Sequence, residues 1–111
     1  MGWTRIAEIV GERGEPVFYL GGERSERPVA LSLRQATVDR PYDRYAVGVH
    51  HVAFKAPSRE AVDERHEWLK QTGAQIESAP REYDYTPGYY AVFFYDPDGI
   101  KLEIVHRPRR D

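Results

Sequence analysis

The sequence contains no cysteine. Disulfides and thiolate metal sites are excluded, so any bound metal must be held by nitrogen and oxygen. No apolar run approaches the roughly 18 residues of a membrane-spanning helix, and no membrane partner is expected. An excess of charge of one sign is also missing. With 16 basic residues against 18 acidic ones and a net charge of −2, nothing marks an electrostatic footprint for nucleic acid or an anionic bilayer. The local basic run that starts at Arg107 reads as a solvated tail. The opening MGWTRIAEIVGERG carries acids and an arginine, unlike a secretory leader, so a soluble cytoplasmic protein is expected. A chain of 111 residues, 41% of them hydrophobic, has room for one small domain, one core and one or two shallow sites.

The clearest local signal is a helix after Pro57. Ser58 stands in the N-cap position, Glu60 in the first turn, and Gly73 where the helix should end. Ala61, Val62, Trp68 and Leu69 form two apolar pairs one heptad apart, predicting a buried face that includes Trp68. His66 lies on that face as a boundary residue, and Arg65 can lay its aliphatic stem there too. Before the helix, HHVAFKA reads as a strand. After it come a tyrosine-rich connection, REYDYTPG, and then the strands YYAVFFY and KLEIVH, joined by the tight-turn sequence DPDG. The second half is thus strand, helix, strand, strand, strand.

The first half repeats the ending of the second. PVFYL, a turn with Gly21 and Gly22, and VALSLRQ lie over VFFY and LEI with four extra residues in the turn, indicating an internal duplication. WTRIAEIV fits a helical period through Trp3, Ile6, Ala7 and Val10, yet the duplication requires a strand, and a strand is expected. The organisation predicted is a partial first module over 1–35, a linker over 36–47 and a second module over 48–108.

Strand parity then places the chemistry. In the last strand Leu102, Ile104 and His106 share one face, which should meet the helix, and Glu103 points to the other. In the earlier strand His51 shares a face with Ala53 and Lys55, while His50 is expected on the helix side with Val52 and Phe54. His51 and Glu103 can therefore line one surface. An imidazole and a carboxylate converging there suit a divalent metal such as zinc, nickel, manganese or iron, and suit equally a buried hydrogen-bonded pair without metal.

HHVAFKA, a helix and DPDGIKLEIVH together resemble the second module of the vicinal oxygen chelate superfamily, which includes glyoxalase I, bleomycin and fosfomycin resistance proteins and extradiol dioxygenases. The match covers about Gly48 to His106. The resemblance implies an α+β fold of βαβββ modules curled around a divalent cation. It implies His51 and Glu103 as metal ligands, since His51 stands three residues before Phe54 as the family pattern requires, and His50 does not. It also makes Glu103 the candidate catalytic proton carrier. Two departures stand out. Ser32 occupies the first-module position of a ligand glutamate, and the first strand and helix of module one have no counterpart, so the chain reads as a truncated β-β-β first module followed by a full βαβββ module.

Three functions follow as expectations. One is a metal-dependent enzyme on a small oxygenated molecule, of lyase, isomerase or ring-cleaving dioxygenase type. Another is a metal-free small-molecule or drug-binding protein of the bleomycin-resistance type, with Tyr89, Tyr90, Phe93 and Phe94 as walls. The third is a remnant that only dimerises. A homodimer is expected in each case, because a half-built first module leaves sheet edges and apolar surface uncovered.

Overall fold

Three strands lie among the described residues of the first 40, and the ambiguous WTRIAEIV is one of them, while Gly21 and Gly22, expected in a turn, end the second. In the computed structural model, which describes residues 3–22 and 30–108, β1 (Trp3–Val10), β2 (Pro16–Gly22) and β3 (Ala30–Arg34) form an antiparallel sheet in that order. In the β1–β2 turn the buried Glu15 folds its carboxylate back to accept from the Arg13 amide at 2.9 Å. A Cβ at Gly11 would stand 1.9 Å from that carboxylate, so any other residue there would make the Glu15 side chain move. The chain divides into two compact units, Met1–Arg40 and Pro41–Asp111. Residues 35–50 contain neither helix nor strand.

The second unit runs β4 (His51–Lys55), α1 (Arg59–Thr72), β5 (Gln75–Tyr83), β6 (Tyr89–Tyr95) and β7 (Lys101–His106). This is the βαβββ order, and the sheet is arranged β4-β7-β6-β5, with β4 parallel to β7 and the other pairs antiparallel. β5 continues through residues 81–83, which the sequence reading gave to the connection. Arg81, Glu82 and Tyr83 pair with Ala91, Tyr90 and Tyr89, beyond bulges in the strand, so pairing with an apolar neighbour overrides their polar composition.

α1 begins and ends where its caps dictate. The Ser58 hydroxyl accepts from the Ala61 amide at 3.0 Å, and Gly73 closes the helix at φ 75° with its amide directed to the last carbonyls. Ser58→Ala is expected to cost about 1 kcal/mol in denaturant unfolding. An unchanged midpoint would mean that the cap carries no stability.

The helix face differs from the expectation at one residue. Val62 and Leu69 are buried, Ala61, Arg65 and His66 are half-buried, and Trp68 is 41% exposed. At 3.6 residues per turn, consecutive residues diverge by about 100°, so Trp68 points to the flank of the stripe that Leu69 centres. Tyr90 donates to Asp63 of α1 at 2.6 Å, which shows that the face of β6 carrying Tyr90, Val92 and Phe94 lies toward the helix. Val92, Phe94 and, in β7, Ile104 complete this core at 5% exposure or less.

The β6–β7 hairpin turn sets the register of the opposite face. Asp96 Oδ1 accepts from the amides of Asp98 and Ile100 at 2.9 and 2.8 Å, and Gly99 takes φ 85°. Tyr95 is thereby fixed opposite Lys101, and counting back puts Phe93 opposite Glu103.

Candidate functional site

The same alternation that sends Val92 and Phe94 to the helix sends Tyr89, Ala91 and Phe93 to the other side, with Glu103 and Val105 from β7. β4 adds His51, opposite Lys101, and Ala53, opposite Glu103. His51 and Glu103 therefore arise on adjacent strands and meet on one face. His51 Nε2 lies 3.0 Å from Glu103 Oε1, and the other carboxylate oxygen accepts from the Tyr89 hydroxyl. Glu103 is 1% exposed. A carboxylate so far from water is costly unless its oxygens are given donors; Tyr89 supplies one, and the Nε2–H tautomer of His51 can supply the other.

The surroundings are aromatic. Phe93 stands edge-on to His51 at 6.1 Å and to Tyr83 at 5.3 Å, and Tyr85 stacks on Tyr83 at 5.4 Å while meeting Tyr89 edge-on at 5.1 Å. Such offset and edge-on pairs are the favourable arrangements of rings. Of the four expected wall residues, Tyr89 and Phe93 are on this face, whereas Tyr90 and Phe94 lie toward α1, as a two-residue period requires. Tyr83 and Tyr85 take their place. Burial, followed by the bond to Glu103, holds the Tyr89 phenol above its ordinary range, so it keeps its proton and acts as a donor. The Tyr89–Glu103 bond was not foreseen, although Tyr89 shares the parity of Phe93.

His50 is not on the helix side. β4 starts at His51, and the exposed His50 lies in the preceding bend with Nδ1 2.9 Å from His51 Nδ1 and its ring edge-on to Tyr45. Strand parity fails because His50 precedes the strand. Lost hydration, then the charges of His51, Lys101 and Arg44, hold the His50 imidazole below its ordinary range. A neutral His50 has one donor and one acceptor nitrogen, and can serve either tautomer of His51. Ser32 is exposed in β3 of the first unit.

Neutral imidazole and carboxylate are the donors expected of a borderline divalent ion. Two donors at right angles, each about 2.1 Å from one ion, stand about 3.0 Å apart. The separation of His51 Nε2 and Glu103 Oε1 fits that, and the pair suits two positions of a metal site. Among the described residues no group of three or more His, Asp or Glu side chains gathers that could hold a metal.

The chain matches the model of the Glyoxalase/Bleomycin resistance protein/Dioxygenase superfamily over residues 1–104. It belongs to this superfamily. The glyoxalase-superfamily chain is 36% identical over 78 residues to the uncharacterized protein YqjT of Bacillus subtilis (strain 168), a match covering 69% of this chain and 61% of YqjT. It thus spans less than two thirds of that relative. Among solved structures it is similar to a glyoxalase family protein from Enterococcus faecalis, at 28% identity and a TM-score of 0.65, covering 94% of this chain and 78% of the other. A glyoxylase/bleomycin resistance protein/dioxygenase domain from Frankia sp. EAN1pec matches at 20% identity and a TM-score of 0.70, with coverages of 96% and 79%. The fosfomycin resistance protein FosX of Listeria monocytogenes matches at 18% identity and a TM-score of 0.64, with coverages of 96% and 74%. The last two likenesses establish the superfamily fold alone. No helix among the described residues is long and apolar enough to cross a membrane.

Proposed function

We propose that this superfamily member is a metal-dependent enzyme acting on a small oxygenated molecule, of lyase, isomerase or ring-cleaving dioxygenase type, with His51 and Glu103 as its protein ligands in this module. The observation that carries the reading is the pairing of half-buried His51 with buried Glu103, whose 3.0 Å separation matches neighbouring positions around one divalent ion. Zinc, nickel, manganese and iron all accept this donor set. A bound ion would supply Lewis acidity toward adjacent oxygen atoms of a substrate.

The chain's own residues do the rest. His50 Nδ1 can accept from His51 Nδ1–H, which leaves His51 Nε2 free to ligate and fixes its ring plane. Tyr89 holds one oxygen of Glu103 and orients the carboxylate. Glu103, shut away from bulk water, is the group placed to accept a proton from a substrate carbon or oxygen and return it. Phe93, Tyr83 and Tyr85 exclude water from one side and offer ring faces to the ligand. Titration calorimetry with nickel, zinc, manganese and anaerobic iron tests the reading, and a folded protein that binds none of them would reject it.

One observation favours a second reading. In the Nε2–H tautomer of His51 both oxygens of Glu103 have donors, so the face would then be complete as a metal-free small-molecule or drug-binding surface of the bleomycin-resistance type. The same titration separates the two.

The assembly we propose is a homodimer in the cytoplasm. β4 is an edge strand in its sheet, Val49 and Val52 beside and within it are exposed at 57% and 36%, and such an edge favours pairing or cover. Light scattering is expected to give twice the mass of one chain, and a cooperatively unfolding monomer at micromolar concentration would overturn this.

A further inference from the structure

Beyond Glu103 on the same face, a cavity of about 700 Å³ opens between the ends of β4 and β7 and the loop before β6. Lys55 and Arg107 line it together with Thr86, Pro87, Val105 and Pro108. Register explains why. Lys55 pairs with Val105, one alternation past the pair formed by Ala53 and Glu103, so its side chain leaves the sheet on the Glu103 side. Arg107 follows Val105 by two residues, just past the end of β7. Gly88 takes φ 75°, and a Cβ there would stand 2.5 Å from the Pro108 ring, so backbone and proline are in direct contact.

Both cations are exposed and differ in their pairing from their neighbours on this face. Lys101, on the same face, is paired with Glu77 at 3.3 Å and lies over the Phe93 ring. Arg81 lies over Tyr83, 4.4 Å from its centroid. Among the described residues neither Lys55 nor Arg107 has a carboxylate partner. Two unpaired cations and a hydroxyl in a cavity with apolar proline and valine walls form a receptor for an oxyanion. Arginine supplies a planar fork, lysine a movable point charge, and the hydroxyl a further donor.

We propose that Lys55, Arg107 and Thr86 form an anion subsite that binds a carboxylate or phosphate group of the substrate, while its reacting oxygens face Glu103. The subsite rests on the reading that the Glu103 face receives the substrate, and it makes that substrate an anion. Its own test needs no metal. Protein stripped on a chelating resin is titrated with inorganic phosphate and, separately, acetate at constant ionic strength, followed by amide chemical shifts. Saturable binding with shifts at residues 55, 86–88 and 105–108 is expected. Lys55→Met or Arg107→Met should each weaken it about tenfold, and the double variant should abolish it. Lys70→Met, on α1, should leave it unchanged, because that lysine pairs with Glu67 at 2.7 Å on a different element. Tighter phosphate binding assigns a phosphoryl group, and equal or tighter acetate binding assigns a carboxylate. Absence of saturable binding by the folded protein, or wild-type binding by the double variant, would overturn the subsite. His51→Ala should still bind phosphate. A protein that binds phosphate and no metal therefore rejects the metal reading alone, and one that binds metal and no phosphate rejects only the subsite.

Discussion

His51→Ala is expected to lower affinity for divalent transition metal at least about tenfold, some 1.4 kcal/mol, with the fold intact. His51 supplies the sole imidazole in contact with Glu103 among the described residues, and its ring is 34% exposed, so removing it opens no large cavity. Glu103→Gln should cause a similar loss. It retains the shape of the side chain and an oxygen for Tyr89 to donate to, but removes the charge that a cation needs. His50→Ala should weaken binding less, by freeing the His51 ring to rotate. Calorimetric titration of the four proteins, with circular dichroism to verify folding, decides the matter. Equal affinity of wild type and His51→Ala would reject the metal assignment and promote the metal-free binding protein.

The largest loss of stability is expected from Leu69→Ala, about 2–5 kcal/mol. Leu69 is 2% exposed against the sheet, and a cavity there would lie among Val62, Val92, Phe94 and Ile104, whose backbones are fixed by helix and strand. Trp68→Ala should cost about 1 kcal/mol or less, although it deletes more atoms, because its ring is on the flank of the helix. Urea unfolding of both variants measures the contrast. A greater loss for Trp68→Ala would mean that the ring is covered in solution by something beyond its own unit.

The contrast between these residues shows what was legible in the sequence. Caps at Ser58 and Gly73, the turn at Asp96–Gly99 and two-residue alternation in KLEIVH are local rules, and the βαβββ order and the shared face of His51 and Glu103 follow from them. Trp68 was misplaced because an apolar pair on a helix spans about 100°, and only the neighbouring sheet selects which member is covered. His50 was misplaced because parity holds only inside a strand, and strand ends are set by pairing with a partner distant in sequence. The partnership of Tyr89 with Glu103 needed the β6–β7 register, which the turn fixes but composition does not show. Lys55 reads only as a face-mate of His51, and Arg107 only as the start of a solvated tail, for a similar reason. Each looks like an ordinary surface cation until the parallel pairing of β4 with β7 brings them to one cavity.

That parallel pairing also orders events in time. The β6–β7 hairpin joins residues close in the chain and can form early, whereas His51 reaches Glu103 across a separation of 52 residues. Closing so long a loop is entropically expensive, and the contact becomes favourable only when α1 and the hairpin already present a surface for β4 to dock on. The His51–Glu103 contact is therefore expected to form after the hairpin. A ligand that bridges His51 and Glu103 would act on that later step, slowing the departure of β4 from the native state while leaving the earlier hairpin untouched.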